Sequence, residues 1–155
     1  MIRSRRSARE IVLKALYAIE LAGTNPAQVL ADPLLVKENA GALFEFSKAL
    51  LMTTVNNRVE FDKYIREKAH NWDFDRLAII DKLVLRMALC EFLYFDDIPP
   101  KVSIDEAIEI TRKYSTEKSD KFVNGILDGI LNDLRQNGKI NKKGRGLLEQ
   151  SHPDV

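Results

Sequence analysis

Apolar residues recur along this chain at three- and four-residue intervals and almost never alternate with polar ones, so the pattern predicts helices and hardly any strand. Ala8, Ile11, Val12, Ala15, Leu16 and Ile19 mark one face of a first helix, with Ser4 or Ser7 placed to cap its start. Gly23, Asn25 and Pro26 break it, and a short helix over 27–32 is expected before Pro33. A longer helix over 42–52 continues or restarts beyond Asn56 and Asn57 through Val59, Tyr64 and Ile65. Trp72, Asp73 and Phe74 read as a connector.

The run 77–95 differs, because only Asp81, Lys82, Arg86 and Glu91 interrupt its apolar residues. A helix apolar on most sides belongs at the centre of a bundle. Asp96, Asp97, Pro99 and Pro100 end it; Ser103 and Glu106 then have capping-box spacing for a helix over 104–114. The last clear helix, 118–134, packs on Phe122, Val123, Ile126, Leu127, Ile130, Leu131 and Leu134. Its Gly125 and Gly129 cost helix propensity, which predicts that a neighbouring helix approaches there. The expected fold is all-α, a single compact bundle of about six to seven helices built from two small helical subdomains. Residues 1–134 form the body, and glycines and cations predict a basic, flexible tail over 135–155.

Charge changes the picture more than composition does. With 155 residues, 45% hydrophobic and 30% charged, the chain is an ordinary globular one with enough core to fold without metal or disulfide. Its net charge of +1 hides an uneven distribution. Residues 1–14 carry five Lys/Arg against Glu10, a local +4; residues 135–155 carry five against Glu149 and Asp154, a local +3; the remainder holds −6. A basic start on an acidic body suggests a polyanion site at one edge. The lone Cys90 sits in an apolar run, which fits core packing in a reducing, cytoplasmic compartment. No segment has the roughly 18 continuous apolar residues of a membrane span.

Catalytic chemistry finds little to work with. His70 and His152 are the two histidines, neither at metal-ligand spacing, and there is no phosphate-binding glycine loop and no nucleophile elbow. The pairs Asp73/Asp75 and Asp96/Asp97 sit at helix boundaries, where caps explain them. A non-enzymatic protein with no catalytic residue, no metal and no cofactor is expected.

The start of the first helix is electrostatically odd. Arg3, Arg5, Arg6 and Arg9 meet the positive end of the helix dipole, each unfavourable by roughly 0.3–1 kcal/mol, so an anionic partner or simple solvation must account for them. Arg6, Arg9, Leu13 and Tyr17 share one flank, which is either an exposed strip or a face packed under the 25–35 connector. An exposed strip would serve a partner or a homodimer. Tyr114 and Phe122 stand at the margins of their helix faces with Lys118 and Lys121 between them; either they are core, or they stack bases beside a basic groove.

Four blocks in order resemble the NusB family of transcription antitermination factors: RRSARE at 5–10 with ALY at 15–17, VLRMA at 84–88 with Glu91, PKVSIDEAIE at 100–109, and SDKFVNGIL at 119–127. The resemblance spans about residues 3–134 and implies an all-helical fold of two small subdomains. It also implies binding of single-stranded boxA RNA from ribosomal RNA operon leaders, jointly with the ribosomal small-subunit protein NusE, in an RNA polymerase complex that suppresses premature termination. Carried onto this chain, the RNA surface is Arg3, Arg5, Arg6, Arg9, Tyr114, Lys118, Lys121 and Phe122, and the NusE surface is Leu13, Tyr17, Asp81 and Leu85. Lys118 departs from relatives with an acid there, which favours phosphate contact. The tail has no clear family counterpart. Rival readings are an RNA-binding module of the same fold serving another machine, as in fusions to RNA cytosine methyltransferases, and a scaffold that binds only protein. No methyltransferase segment follows, so a free-standing protein is expected.

Overall fold

The computed structural model describes residues 4–32 and 41–148, all in helices, turns and loops. Seven α-helices follow one another among them: α1 (Arg5–Ala22), α2 (Pro26–Leu30), α3 (Ala42–Asn56), α4 (Arg58–Lys68), α5 (Ile79–Tyr94), α6 (Pro100–Tyr114) and α7 (Ser119–Gln136). The all-α expectation holds. The chain divides between Asn56 and Asn57 into two compact units.

In the first unit α1 packs on α3, and α2 touches both. Alanine, valine and leucine at positions 8, 12, 13, 15 and 16 of α1 and Phe46, Leu50 and Leu51 of α3 are its enclosed apolar residues. Ser4 caps α1: its hydroxyl accepts from the Ser7 amide at 3.2 Å, while the Ser7 hydroxyl accepts from the Ser4 amide at 3.1 Å. Gly23 closes the helix in the left-handed region at φ 66°, where a side chain would be strained.

In the second unit α5 is central, in contact with α4, α6 and α7. Leu83 to Phe92 are buried without a break, as its apolar run predicts. Three charged residues are buried with them. The Arg86 guanidinium donates to both carboxylate oxygens of Asp62 on α4, at 2.7 and 2.9 Å. The Glu91 carboxylate accepts from the Ser103 hydroxyl of α6 at 2.8 Å, and Asp81 accepts from the turn between α6 and α7.

Three expectations are corrected here. Ser103 is no cap: α6 begins at Pro100, whose ring suits a first helical position, and Ser103 lies inside the helix, tied to Glu91. Gly125 faces open space, so the expected close approach holds only at Gly129, where the stem of Lys68 from the end of α4 lies against the glycine and its ammonium reaches Asp133 at 2.6 Å. Nor is the start of the tail loose. Residues 135 and 136 extend α7, and a short 3₁₀ turn (Gly144–Leu147) follows a docked strand of chain. The buried Lys142 ammonium donates to the Glu91 and Phe95 carbonyls at 2.8 and 2.6 Å, satisfying the C-terminus of α5 with a cation at its negative end. The Lys143 amide donates to the Asp96 carbonyl at 3.0 Å, and Gly146 lies so close to that carbonyl that a Cβ would meet it. Residues 149–155, with His152, lie outside the described residues, as do Arg3 and Pro33.

Replacing Asp62 by Ala removes the bidentate acceptor of the enclosed Arg86 guanidinium. The expected loss is about 3 kcal/mol of stability, read as a lower urea midpoint at unchanged m. A loss under about 1 kcal/mol would show the pair to behave as a surface ion pair.

Candidate nucleic-acid interface

Each unit carries its own basic surface. On the first, the capped start of α1 puts Arg5 and Arg6 in the first turn, which contains no acidic residue. The Arg5 guanidinium lies 4.6 Å from the centroid of the Phe46 ring, and Arg9 lies 5.4 Å from it. Such contacts are worth about 0.5–1 kcal/mol each at exposed sites, comparable to the dipole penalty of the arginine that makes them. Arg6 is exposed, whereas Arg9, also expected on the RNA surface, is 4% exposed. The expectation of Arg9 as a phosphate contact is corrected to that extent: its side chain is enclosed and lies over the Phe46 ring. The expected strip is also broken, because Leu13 is in the core while Tyr17 is 39% exposed. The buried face of α1 is wider than its apolar spacing implied, taking in Arg9 and Leu13.

On the second unit, α6 ends at Tyr114 and α7 starts at Ser119, so Tyr114, Lys118, Lys121 and Phe122 come together around one turn. The Lys113 ammonium sits 5.3 Å from the Tyr114 ring centroid. Lys118 and Lys121 are exposed, and Tyr114 and Phe122 are half-buried, each held by its helix with part of its ring surface open. Arg112 spans the turn, donating to Asp120 at 3.1 Å and to Glu109 at 3.2 Å. Its hydrogen bond holds the Asp120 carboxyl below the ordinary carboxylate value, so this acid stays ionised beside Lys121.

Trp72 was missed. It is 59% exposed and meets Phe122 edge-on, ring centroids 5.3 Å apart at 71°. The signal was present: the chain's single tryptophan lies in a polar connector between Asn71 and Asp73, where no core claims it. Next to it Asp73 caps a 3₁₀ turn (Phe74–Arg76) by accepting from the Asp75 amide at 3.1 Å, as expected of that carboxylate pair. Arg66 and Lys82 both lie over the Phe74 ring, at 4.1 and 4.7 Å. Asp81 and Leu85, expected on a partner-facing side of the central helix, are instead 5% and 0% exposed. Both are corrected: α5 has neighbours where an open side was assumed.

Among the described residues no group of three or more His, Cys, Asp or Glu is placed to hold a metal ion, and no helix is long and apolar enough to cross a membrane. What the two surfaces offer is cations and partly open aromatic rings, a combination suited to nucleic acid.

Comparison with known proteins decides the family. A model of the NusB family matches residues 6–132. The chain belongs to the NusB family. It is 45% identical to a transcription antitermination protein NusB of Salinibacter ruber, over 94% of this chain and 91% of that one. Among solved structures it resembles NusB of T. maritima, at a TM-score of 0.78 and 37% identity over 86% of this chain and 94% of that one. A crystal structure of the antitermination factors NusB and NusE in complex with double-stranded RNA also matches, at a TM-score of 0.74 and 28% identity, covering 86% of this chain and 99% of that one. NusB proteins are non-enzymatic, in agreement with the class expected from the sequence.

A half-open Phe122 makes a distinct energetic forecast. Phe122→Ala is expected to cost about 1–2 kcal/mol, well below the roughly 3–5 kcal/mol of an enclosed phenylalanine, and to alter Trp72 fluorescence. A stability loss in the upper range would assign the ring to the core.

Proposed function

We propose that this chain is a transcription antitermination factor that binds single-stranded boxA RNA from ribosomal RNA operon leaders, together with the ribosomal protein NusE, within an RNA polymerase complex in the cytoplasm. The observation that carries this reading is the turn between α6 and α7. Two cations and two partly open rings surround it, with an exposed tryptophan against one of them. Lysine ammonium groups neutralise phosphates, and each stacked base contributes roughly 1–3 kcal/mol, so the surface fits unpaired bases better than a rigid duplex. The relative solved with NusE and double-stranded RNA supports NusE and RNA as partners; the preference for unpaired bases rests on the open rings. Arg5 and Arg6 add backbone contacts from the start of α1, and Tyr17 is the residue of the expected NusE set whose side chain remains open to a protein.

The test is fluorescence anisotropy with a short boxA RNA, a scrambled strand and a duplex, with and without NusE, at several salt concentrations. Selective binding to the boxA strand, strengthened by NusE, is expected. Equal affinity for all three RNAs, indifferent to NusE, would overturn the proposal. Arg5, Arg6, Lys118 and Lys121 as four phosphate contacts predict a log–log salt slope of about −3 on single strands, and Arg6→Ala should flatten it by about 0.7. Arg9→Ala should lower stability and leave the slope of the folded protein unchanged; a slope flattened as much as by Arg6→Ala would return Arg9 to the RNA surface.

A further inference from the structure

The turn bearing these groups is fixed from outside itself. α6 ends at Ser115 in an extended conformation, with φ −120° and ψ −159°, and α7 starts behind Lys118, whose side chain makes no capping hydrogen bond. In place of local caps, the Ser115 hydroxyl donates to one carboxylate oxygen of Asp81 at 2.7 Å and the Ser119 hydroxyl donates to the other at 2.8 Å. Each hydroxyl has a single hydrogen. With those two directed at Asp81, Thr116 supplies the donor in its 2.9 Å contact with Ser119, and the Ser115 and Ser119 oxygens rest 3.0 Å apart.

Asp81 is suited to this. It lies in the first turn of α5, where the helix dipole favours an anion, and α5 has no side-chain cap of its own. Burial at 5% exposure makes its hydrogen bonds obligatory, since an enclosed carboxylate without donors is costly. Charge-assisted bonds are also about twice as strong as neutral ones. The 115–119 turn is thus pinned at two points to the central helix. Tyr114 precedes it, Lys118 lies in it, and Lys121 and Phe122 follow within one helical turn.

We propose that Asp81 is a positioning residue for RNA binding. Its carboxylate locks the 115–119 turn so that Lys118, Lys121 and Phe122 are presented already ordered, sparing the complex the entropy of ordering them. This rests on the RNA-binding reading above. Asp81 then acts through Ser115 and Ser119 and touches no partner itself.

The variants are Asp81→Ala, which removes the acceptor, and the double variant Ser115→Ala with Ser119→Ala, which removes the donors and leaves α5 untouched should the first fail to fold. Each is expected to weaken boxA RNA binding by the folded protein about five- to tenfold. Phe122→Ala is combined with each, because loss of stability alone cannot change how two substitutions couple. The cost of Phe122→Ala should shrink in the unlocked background, while the cost of Arg6→Ala, on the other unit, should not. Unaltered affinity of both folded variants, or full additivity with Phe122→Ala, would overturn the positioning role. Wild-type protein that binds no RNA would overturn the functional reading, and this inference with it.

Discussion

Burying charge inside the central helix is the constraint on which the second unit depends. α5 is apolar nearly all round, yet Asp81, Arg86 and Glu91 are enclosed with its leucines. A spacing of five residues turns each of these side chains roughly 140° from the last, so they leave the helix in three directions. Each meets a different element: the α6–α7 turn, Asp62 of α4 and Ser103 of α6. A packing shifted by one residue would enclose charges with no partner, at a cost of several kcal/mol each. Hydrophobic burial holds the unit together, and the three charged groups select the register in which it does so.

That register reaches the candidate binding surface without passing through a flexible loop. The carboxylate at one end of α5 pins the turn carrying the lysines and Phe122, while Lys142 satisfies the carbonyls at the other end and docks the chain beyond α7. The first unit follows a different rule. Its arginines crowd the unfavourable end of a helix, with Phe46 against Arg5 and Arg9 offsetting part of the penalty. The RNA backbone proposed as partner would add favourable charge at this end of α1.

The helices were legible in the sequence because their apolar periodicity was strong and their breaks were marked by Gly, Pro and Asn. The central place of α5 followed from its nearly unbroken apolar run. Caps were less legible, because a Ser with an acid three residues on is ambiguous. At Ser4 and Ser7 hydroxyls close a helix, whereas at Ser103 the hydroxyl serves a carboxylate on another element, a tertiary partner that spacing cannot reveal. Site residues divided in the same way. Lys118, Lys121 and Arg6 stand exposed as their polarity predicts, whereas Arg9, Leu13, Asp81 and Leu85 are enclosed by neighbours absent from any single-helix projection. The docked start of the tail was missed because its composition is that of a linker; only the α5 carbonyls it meets give Lys142 and Gly146 a purpose.

Ultraviolet cross-linking of the chain to boxA RNA, with the adducts located by mass spectrometry, would show whether RNA is held at the turn locked to α5. Adducts are expected on Trp72, Tyr114 or Phe122. Adducts confined to Tyr94 or the 139–148 segment, at the opposite end of α5, would contradict it.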